Sequence, residues 1–452
     1  MIRCRIKPEQ VRIHVLMFIF FLIMPVITPA ETVTLTIDEA VRRALEQSLV
    51  LKKGLIDLSQ AEYSAGKLWS EIFPGINLSA GFNLLPRTPL FTDTGFGFKT
   101  DALSYSLDAG IVFSLNPSFK SSMKRIQLAY QSRILSYESA SKQLEIQVIK
   151  NFLSLVIMKE DISYMEENLR VAEQILERDR TAWKNGLMSE LDWFNSQLST
   201  ETARFNLSNA QRLYQNALGE FLSLLGMDTG TVIVFAGTVE IAPVHLDPEQ
   251  LILEYLPKRP DIISQRQTIE RLELTKNITT LNSRSPSLRL SAQWLGVNSG
   301  SGLRAPFGDT VLGSLALSVP VDSWIPGTKQ DQGIKSADAE VEKAKLDLQN
   351  TEISAKTQIR SLILNLGNTW TSLEISQLRQ EFAQRTLDAA EEGFRKGTVE
   401  FQELEDTRNK LTLARQQLLV EKYSYQSLLL DLAAALNVDW KTVAALGSGG
   451  TR

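Results

Sequence analysis

Residues 72–85 read IFPGINLSAGFNLL, and the change of hydrophobic period inside this stretch decides the fold class. A helical pattern leads up to it, and another begins about thirty residues after it. From Asn77 to Leu84, apolar residues alternate with small polar ones. A period of two is typical of a β-strand with one apolar and one polar face. The stretch therefore predicts a strand in a chain whose other patterns are mostly helical.

Three further segments alternate in the same way, so four strands are predicted. They lie near 76–85, 104–115, 287–297 and 310–319. One face of each segment is rich in Leu, Phe and Ile, and the other face is rich in Ser, Asn, Gly, Asp and Arg. The strands form two pairs, and each pair lies between long helical patterns.

The sequence also contains an internal repeat. PGINLSAGF at Pro74 resembles PSLRLSAQW at Pro286, and WKNG at Trp183 resembles FRKG at Phe394. The matches occur in the same order in both halves. They predict two copies of one design, roughly 31–236 and 237–442, followed by a disordered tail, 443–452.

Each repeat is predicted to run helix, strand pair, very long helix and long helix. In the first, a helix begins at a capping box, Thr36 with Glu39, and ends before Pro74. The long helices of the first repeat are predicted at 118–183 and 189–226. The helices of the second repeat are predicted near 248–283, 330–395 and 399–437.

The first long helix contains no Pro or Gly between Ser118 and Trp183. At 1.5 Å per residue, it is on the order of 100 Å long. Its counterpart has apolar residues at alternating intervals of three and four from Ile334 onward. This spacing is typical of a coiled coil. By itself, the helical pattern favours a coiled-coil stalk.

The first thirty residues form a separate segment. Basic residues precede the apolar run from Val15 to Ile27, and a small residue, Ala30, follows it. This order is typical of a secretory signal peptide, predicted here as 1–30. The run is shorter than the roughly 20 residues of a membrane-spanning helix.

Composition excludes several classes of function. The net charge is −4 and there is no block of basic residues, so nucleic acid is not an expected partner. The only cysteine, Cys4, lies in the predicted signal, which leaves no thiol chemistry in the mature chain. No Walker loop, nucleophile elbow or HExxH motif is present, so we predict no catalytic residue, metal site or cofactor.

The strands argue against a simple stalk, because no neighbouring layer is predicted to cover their apolar faces. Segments of about ten alternating residues in a secreted chain suit a barrel wall that faces lipid and encloses a polar lumen. Four strands cannot close a barrel, and an open edge is not tolerated in lipid. The strands of several chains must combine, giving eight strands from two chains or twelve from three. The interior of an eight-stranded barrel is filled by side chains, whereas the small residues on the lumen side suggest an open pore. Twelve strands are therefore favoured.

The whole mature length resembles the TolC family of outer-membrane efflux and secretion channels. The resemblance rests on the paired strands and on four motifs: LTIDEAVRRALEQSLVL from Leu35, KRPDI from Lys258, WKNGLMSELD and FRKGTVEFQEL. It implies a mainly α fold with a transmembrane β-barrel, in a homotrimer that shares twelve strands and a long α-helical barrel. Ser48 stands where many relatives have Asn, and there is no lipid-acceptor Cys.

The resemblance also implies a location and partners. Such a protein lies in the cell outer membrane and extends into the periplasm. It serves as a passive duct of a tripartite efflux pump or type I secretion system. Its partners are outer-membrane lipid, a periplasmic membrane-fusion adaptor, and an inner-membrane pump of the RND, ABC or MFS type.

Two turns carry the candidate site residues. Gly186 and Gly397 end the long helices, and Ser189 and Thr398 lie where the next helices start. The resemblance places both turns at the periplasmic tip, so these four residues are candidates for adaptor docking. Acidic residues follow both turns, and the candidates for the closed aperture are Asp192, Glu403 and Asp406. Glu403 and Asp406 share a helix face at i and i+3. The alternative for Asp192 is the general preference for acids in the first turn of a helix, and the alternative for Glu403 and Asp406 is a plain solvated face.

Three alternatives remain at this stage. The chain is an outer-membrane duct, a periplasmic coiled-coil adaptor or stalk without a barrel, or a secreted enzyme without a recognisable constellation. Phe91, Phe96 and Phe98 are interpreted either as a barrel lid or as an aromatic belt. Residues 231–241 are interpreted as a strand that links the two repeats.

Overall fold

A computed structural model describes residues 32–84, 88–92, 95–99, 103–236, 241–298 and 307–443. The predicted signal 1–30 and residues 444–452 of the predicted tail lie outside these ranges. So do the side chains of Phe91, Phe96 and Phe98. The lid and belt interpretations of those aromatic residues are therefore left as predictions.

Helices make up most of the described chain. In order they are α1 (Ile37–Gln47), α2 (Leu49–Gly66), α3 (Phe119–Lys184), α4 (Glu190–Leu224), α5 (Pro248–Tyr255), α6 (Pro260–Arg284), α7 (Lys329–Arg395) and α8 (Phe401–Leu436). Short 3₁₀ turns occupy Leu68–Ile72, Leu256–Lys258 and Asp322–Trp324. The strands are β1 (Thr32–Leu35), β2 (Gly75–Leu84), β3 (Thr88–Thr92), β4 (Gly95–Lys99), β5 (Leu103–Leu115), β6 (Val232–Phe235), β7 (Ser287–Asn298) and β8 (Phe307–Ser318).

The prediction of a single helix between Thr36 and Pro74 is wrong, because the structure divides this segment into two helices at Ser48. Ser48 has φ −55° and ψ 119°, and its hydroxyl accepts a hydrogen bond from the Leu51 amide at 3.4 Å. A serine that caps a helix in this way competes with continuation of the preceding helix. Ser48 therefore ends α1 and starts α2.

The four predicted strands form one antiparallel sheet in the order β2-β5-β7-β8. The register aligns their apolar residues: Ile76 pairs with Ile111, and Ile111 pairs with Ala292. Leu290 pairs with Leu315 on the same face. Directly opposed residues of an antiparallel pair project from the same face. One face of the sheet is therefore continuously apolar.

The apolar face is open to solvent in the single chain. The side chains of Leu78 and Leu315 are 82% and 70% exposed. The other face carries a hydrogen-bonded polar network. Asp108 accepts from the amide nitrogens of Asn77, at 3.3 Å, and Gln293. Soluble sheets bury their apolar face, so this sheet needs another partner.

Two smaller strand pairs were not predicted. β3 and β4 form an antiparallel hairpin between β2 and β5. β1 pairs in parallel with β6, with Leu35 opposite Phe235. β6 lies within the segment 231–241 that was interpreted as a strand, but its partner β1 was not recognised. Four residues carry too little pattern to be distinguished from the start of a helix.

The chain divides into two compact units. The described part of the first comprises residues 32–47 and 148–236, and its core packs Phe152 against Phe221 and Phe235. The second comprises the described residues of 48–147 and 241–443, and includes the four-stranded sheet. Its core lies around Ile359 and Tyr425. None of the helices described here combines the length and apolar character needed to cross a membrane.

Helices α7 and α8 form a long antiparallel hairpin in the second unit. The buried seam of α7 follows the predicted coiled-coil spacing, with Val341, Ala344, Ala355, Ile359, Leu366 and Leu373. A second set of apolar side chains on α7 is exposed: Leu346, Ile353, Leu364, Ile375, Leu378 and Phe382. The hairpin therefore has more apolar surface than one chain covers.

Candidate functional site

The turn between α3 and α4 ends the first helix with a left-handed glycine. Gly186 has φ +71°, and its amide donates to the Trp183 carbonyl at 2.9 Å. The Leu187 amide donates to the Ala182 carbonyl at 2.9 Å. These are the two bonds of a Schellman motif, which satisfies the last carbonyls of a helix. The predicted helix end at Gly186 is confirmed, and its role in adaptor docking stays a prediction.

Ser189 and Asp192 bond to each other at the start of α4. The Asp192 amide donates to Ser189 Oγ at 3.1 Å, and the Ser189 hydroxyl donates to Asp192 Oδ2 at 2.6 Å. The Ser189 backbone is extended, as at an N-cap. Asp192 therefore takes part in the cap, in addition to any role at an aperture.

The turn between α7 and α8 is built differently after its glycine. Gly397 has φ +74°, and the Thr398 amide donates to the Gly393 carbonyl at 2.9 Å. The Thr398 hydroxyl donates to the same carbonyl at 3.1 Å. The residue at the cap position of α8 is Glu400, and no side chain caps this helix start. Thr398 thus stabilises the end of α7 and does not cap α8.

Aromatic side chains bridge each turn. Trp183 and Trp193 stack with centroids 4.4 Å apart and planes within 5°. Phe394 and Phe401 meet edge to face at 6.3 Å. Such contacts fix the exit and entry angles of the helices at a turn. Both turns are therefore ordered by backbone caps and by ring packing.

Glu403 and Asp406 lie on the exposed side of α8. Leu404 and Thr407, between and beside them, are buried. In the described part of the chain, neither carboxylate has an ion-pair partner. The neighbouring Glu405 differs, because it pairs with Arg408 at 3.1 Å. The structure brings Glu403 and Asp406 together on one free face, as their spacing predicts.

The predicted aperture residues do not all belong to one unit. Asp192 lies in the first unit, and Glu403 and Asp406 lie in the second. Asp192 with Ser189, Gly397 with Thr398, and Glu403 with Asp406 are the local pairs that the structure supports. Within the described residues, no group of three or more His, Cys, Asp or Glu side chains is arranged to hold a metal ion.

Sequence reasoning missed a buried carboxylate near the first turn. Asp179 is 1% exposed and accepts a hydrogen bond from the Ser196 hydroxyl on α4. It also pairs with the half-exposed Arg178 at 2.8 Å. The spacing of the sequence could have revealed this carboxylate, because the interval is three from Ala172 to Ile175 and four from Ile175 to Asp179. That spacing places it on the apolar seam of α3.

The KRPDI segment forms a second buried polar centre. The Arg259 side chain, 8% exposed, donates to the Ala435 carbonyl at 2.9 Å and to Gln358 Oε1 at 3.1 Å. It also binds both carboxylate oxygens of Asp261, at 3.0 and 2.7 Å. Burial alone would raise the pKa of Asp261, but the hydrogen bonds and charge of Arg259, together with the hydrogen bond from the Ile262 amide, outweigh it and lower that pKa. The segment joins the start of α6 to α7 and to the end of α8.

The sequence pattern of one known family covers most of the chain. The outer membrane efflux protein pattern matches residues 40–227 and 254–438. The chain belongs to the outer membrane efflux protein family. No protein with a curated description matches the sequence.

Solved structures of such channels have the same fold. The outer membrane channel CmeC of Campylobacter jejuni superposes with a TM-score of 0.72 and 16% identity, covering 91% of this chain and 89% of the other. VceC of Vibrio cholerae gives 0.69 and 14%, covering 89% and 96%. A membrane protein from Pseudomonas aeruginosa gives 0.72 and 17%, covering 89% and 90%.

These matches decide between the alternatives. The TolC-family resemblance and the mainly helical, TolC-like fold are confirmed. The protein is an outer-membrane efflux channel that extends into the periplasm, and the stalk without a membrane part is not favoured. The family is one of outer-membrane efflux channels.

Proposed function

We propose that three copies of this chain form one passive export duct with a shared twelve-stranded barrel. The observation that carries the proposal is the open sheet, whose edge strands are β2 and β8 in the described chain. All its pairings are antiparallel, so β8 of one copy has the direction needed to pair with β2 of the next. Closure removes both edges, as a membrane setting demands.

The two faces of the sheet suit the two sides of a barrel wall. Among the described residues of its unit, nothing covers the apolar face, and lipid can cover it. The opposite face carries Asp108, Asn77 and Gln293 in a polar network, together with the hydrogen-bonded pair Ser291 and Ser314. This composition fits a water-filled lumen, and it explains why one face of the strand in residues 72–85 carries small polar residues.

The helices supply the second argument for assembly. On α4, the exposed residues Leu191, Phe194, Leu198 and Phe205 recur at helical spacing. On α7, Leu364, Ile375, Leu378 and Phe382 do the same. Apolar stripes of this kind mark helix–helix interfaces. Neighbouring copies would cover them in a ring of long helices that continues the barrel lumen.

The turns at Gly186 and Gly397 would form the periplasmic tip. Their exposed residues, with Ser189 and Thr398, would dock a periplasmic membrane-fusion adaptor. An inner-membrane pump of the RND, ABC or MFS type would supply the energy, since the duct itself has no motif for nucleotide hydrolysis.

Glu403 and Asp406 would restrict the closed aperture, and Asp192 is a further candidate for it. Threefold symmetry turns their shared, unpaired face into a ring of six carboxylates. Such a ring attracts cations and repels anions across a narrow lumen. The duct would then be weakly conducting and cation-selective until its tip helices move apart.

The test is the mass of the detergent-purified protein, followed by conductance in a planar bilayer. A trimer with small, cation-selective currents supports the duct. Glu403→Gln with Asp406→Asn should reduce cation selectivity, because charge is removed at constant size. Glu403→Ala with Asp406→Ala should also raise conductance, because volume is lost.

Glu62→Gln is the matched control, since Glu62 is an exposed acid of α2 outside both turns. It should leave selectivity unchanged. A monomer in detergent, or a protein that never inserts, overturns the shared barrel. A conducting trimer whose selectivity ignores both carboxylate pairs overturns the aperture assignment only.

A further inference from the structure

All four connections between the sheet and the helices leave from one end of the sheet. Gly75 lies opposite Val112, Leu115 opposite Leu288, and Ser287 opposite Ser318. One end of the sheet therefore contains the start of β2, the end of β5, the start of β7 and the end of β8. Two of the connections, before β2 and after β8, carry large apolar side chains.

The connection before β2 is a short 3₁₀ turn with its aromatic residues outside. Trp69 and Phe73 pack edge to face with centroids 5.1 Å apart. Both are more than half exposed, and Ile72 between them is also exposed. Ring packing that leaves both rings in solvent does not hide them in a core. It presents them as one apolar surface.

The connection after β8 holds a tryptophan outward by a fixed scaffold. Ser323 is 1% exposed and donates to the Ser283 carbonyl, while its neighbour Trp324 is 65% exposed. The Thr328 hydroxyl donates to the Asp322 carbonyl at 2.8 Å, which closes the turn. The Arg284 guanidinium lies 5.3 Å from the centre of the Trp324 ring. The ring is thus positioned at the surface by its neighbours on both sides.

The connection after β8 continues the apolar face of the sheet. Leu315, Leu317, Val319 and Val321 alternate without interruption from β8 into the connection, and all are exposed. Ile325, in the same connection, is also exposed. Whatever covers the apolar face of the sheet therefore also meets the start of this connection.

Charged residues limit how deep the connections can lie. Glu71 and Asp322 lie within them, and a carboxylate is costly in hydrocarbon. Lys67, Lys120 and Lys329 are exposed on the helix side of the aromatic residues. Tryptophan with apolar neighbours and flanking lysines is the composition of the membrane–water interface, where rings sit at headgroup level and lysine stems extend to phosphate.

We infer that the two connections form an interfacial collar that binds phospholipid headgroups and the upper acyl region on the periplasmic side of the outer membrane. The collar consists of Trp69, Ile72, Phe73, Val321, Trp324 and Ile325. This inference rests on the proposed barrel and goes beyond it, because the collar residues belong to linkers and not to strands. The collar fixes how far the sheet can slide along the membrane normal.

The test uses nitroxide labels and three matched positions. The chain has one cysteine, Cys4, so Cys4→Ser allows one introduced cysteine at a time. Ile325→Cys reports on the collar, Val311→Cys on the sheet's apolar face, and Leu187→Cys on the first turn; all three side chains are exposed. Purified protein is reconstituted in phosphatidylethanolamine and phosphatidylglycerol vesicles. Collision of each label with oxygen and with a neutral nickel chelate is then measured.

The oxygen-to-nickel ratio should be highest at Val311, intermediate at Ile325 and lowest at Leu187. A ratio at Ile325 equal to that at Leu187, with Val311 still high, overturns the collar and leaves the barrel intact. A ratio at Ile325 equal to that at Val311 also overturns it, because the linker would then lie in hydrocarbon. A low ratio at Val311 as well overturns the barrel itself.

Discussion

Trp183 at the end of α3 and Trp193 in the first turns of α4 stack face to face, with ring centroids 4.4 Å apart. The two indoles clamp the turn around Gly186 from one side. Within the described residues, the indole Nε1 of Trp193 is buried and has no hydrogen-bond acceptor. The clamp therefore combines favourable ring packing with one unsatisfied donor.

Trp193→Phe should be tolerated, whereas Trp193→Ala should loosen the first turn. Phenylalanine keeps a stacked ring and removes the unsatisfied donor, whose burial carries a cost. Alanine loses about 1 kcal/mol of ring packing in addition to the buried area. Hydrogen exchange of the amides from Ala182 to Trp193 measures the difference. Equal exchange rates in the two variants would show that the stacking does not hold the turn.

Gly186→Ala and Gly397→Ala should each destabilise their turn by about 1–2 kcal/mol, the cost of a left-handed conformation for a residue with a Cβ. A Cβ at either position meets no atom within 4 Å, so a steric clash does not contribute. Gly367→Ala is the control, because a Cβ there also meets nothing and the position lies inside α7. That variant should be stabilised by up to about 1 kcal/mol. Hydrogen exchange of the amides at each helix end measures whether a variant is destabilised or stabilised. Unchanged exchange rates in Gly186→Ala would contradict the argument.

The sheet and the long helices were predictable because their patterns are long. Eight alternating residues predict the strand from Asn77 to Leu84, and uninterrupted helical spacing predicts α3. The same alternation predicts one apolar face for each strand, and the observed register brings Ile76, Ile111 and Ala292 together on one face of the sheet. The left-handed turns were also predictable, because a glycine directly after a long helix is typical of the left-handed C′ position.

Other features depend on contacts that no local pattern contains. The break at Ser48 depends on the hydrogen bond from the Leu51 amide to the Ser48 hydroxyl, which the hydrophobic pattern does not contain. The strand β1 pairs with β6, a short segment far away in the sequence. The candidate aperture shows the same limit. The spacing of Glu403 and Asp406 gives their common face, but the lumen they would line would form only between copies of the chain.

Ser196→Ala should destabilise the first helical hairpin by about 1–3 kcal/mol, because it leaves the buried Asp179 carboxylate without its serine donor. The repeat offers a compensating variant. The residues that correspond to Asp179 and Ser196 are Ala390 and Thr407, which are also buried. Asp179→Ala with Ser196→Thr should therefore cost less than Ser196→Ala alone.

Hydrogen exchange along α3 and α4 of the detergent-purified protein compares these variants. Thr202→Ala is the control, since its hydroxyl donates only to a carbonyl of its own helix, that of Leu198, at an exposed site. It should change little. A double variant less stable than Ser196→Ala would mean that Asp179 stabilises the hairpin by more than its bond to Ser196.

Arg259→Met should destabilise the second unit by about 2 kcal/mol, because it removes charge-assisted bonds to Asp261 and a bond to the Ala435 carbonyl. Arg360→Met is the control, because its pair with Glu249 is exposed and worth about 0–1 kcal/mol. The Arg259–Asp261 pair also predicts a pH dependence. Since the folded state lowers the pKa of Asp261, its stabilisation is present above the ordinary aspartate pKa of about 4 and is lost as pH falls below it. Thermal denaturation of wild type and Asp261→Asn should therefore differ most near neutral pH and converge in acid, and a constant difference would contradict the assignment.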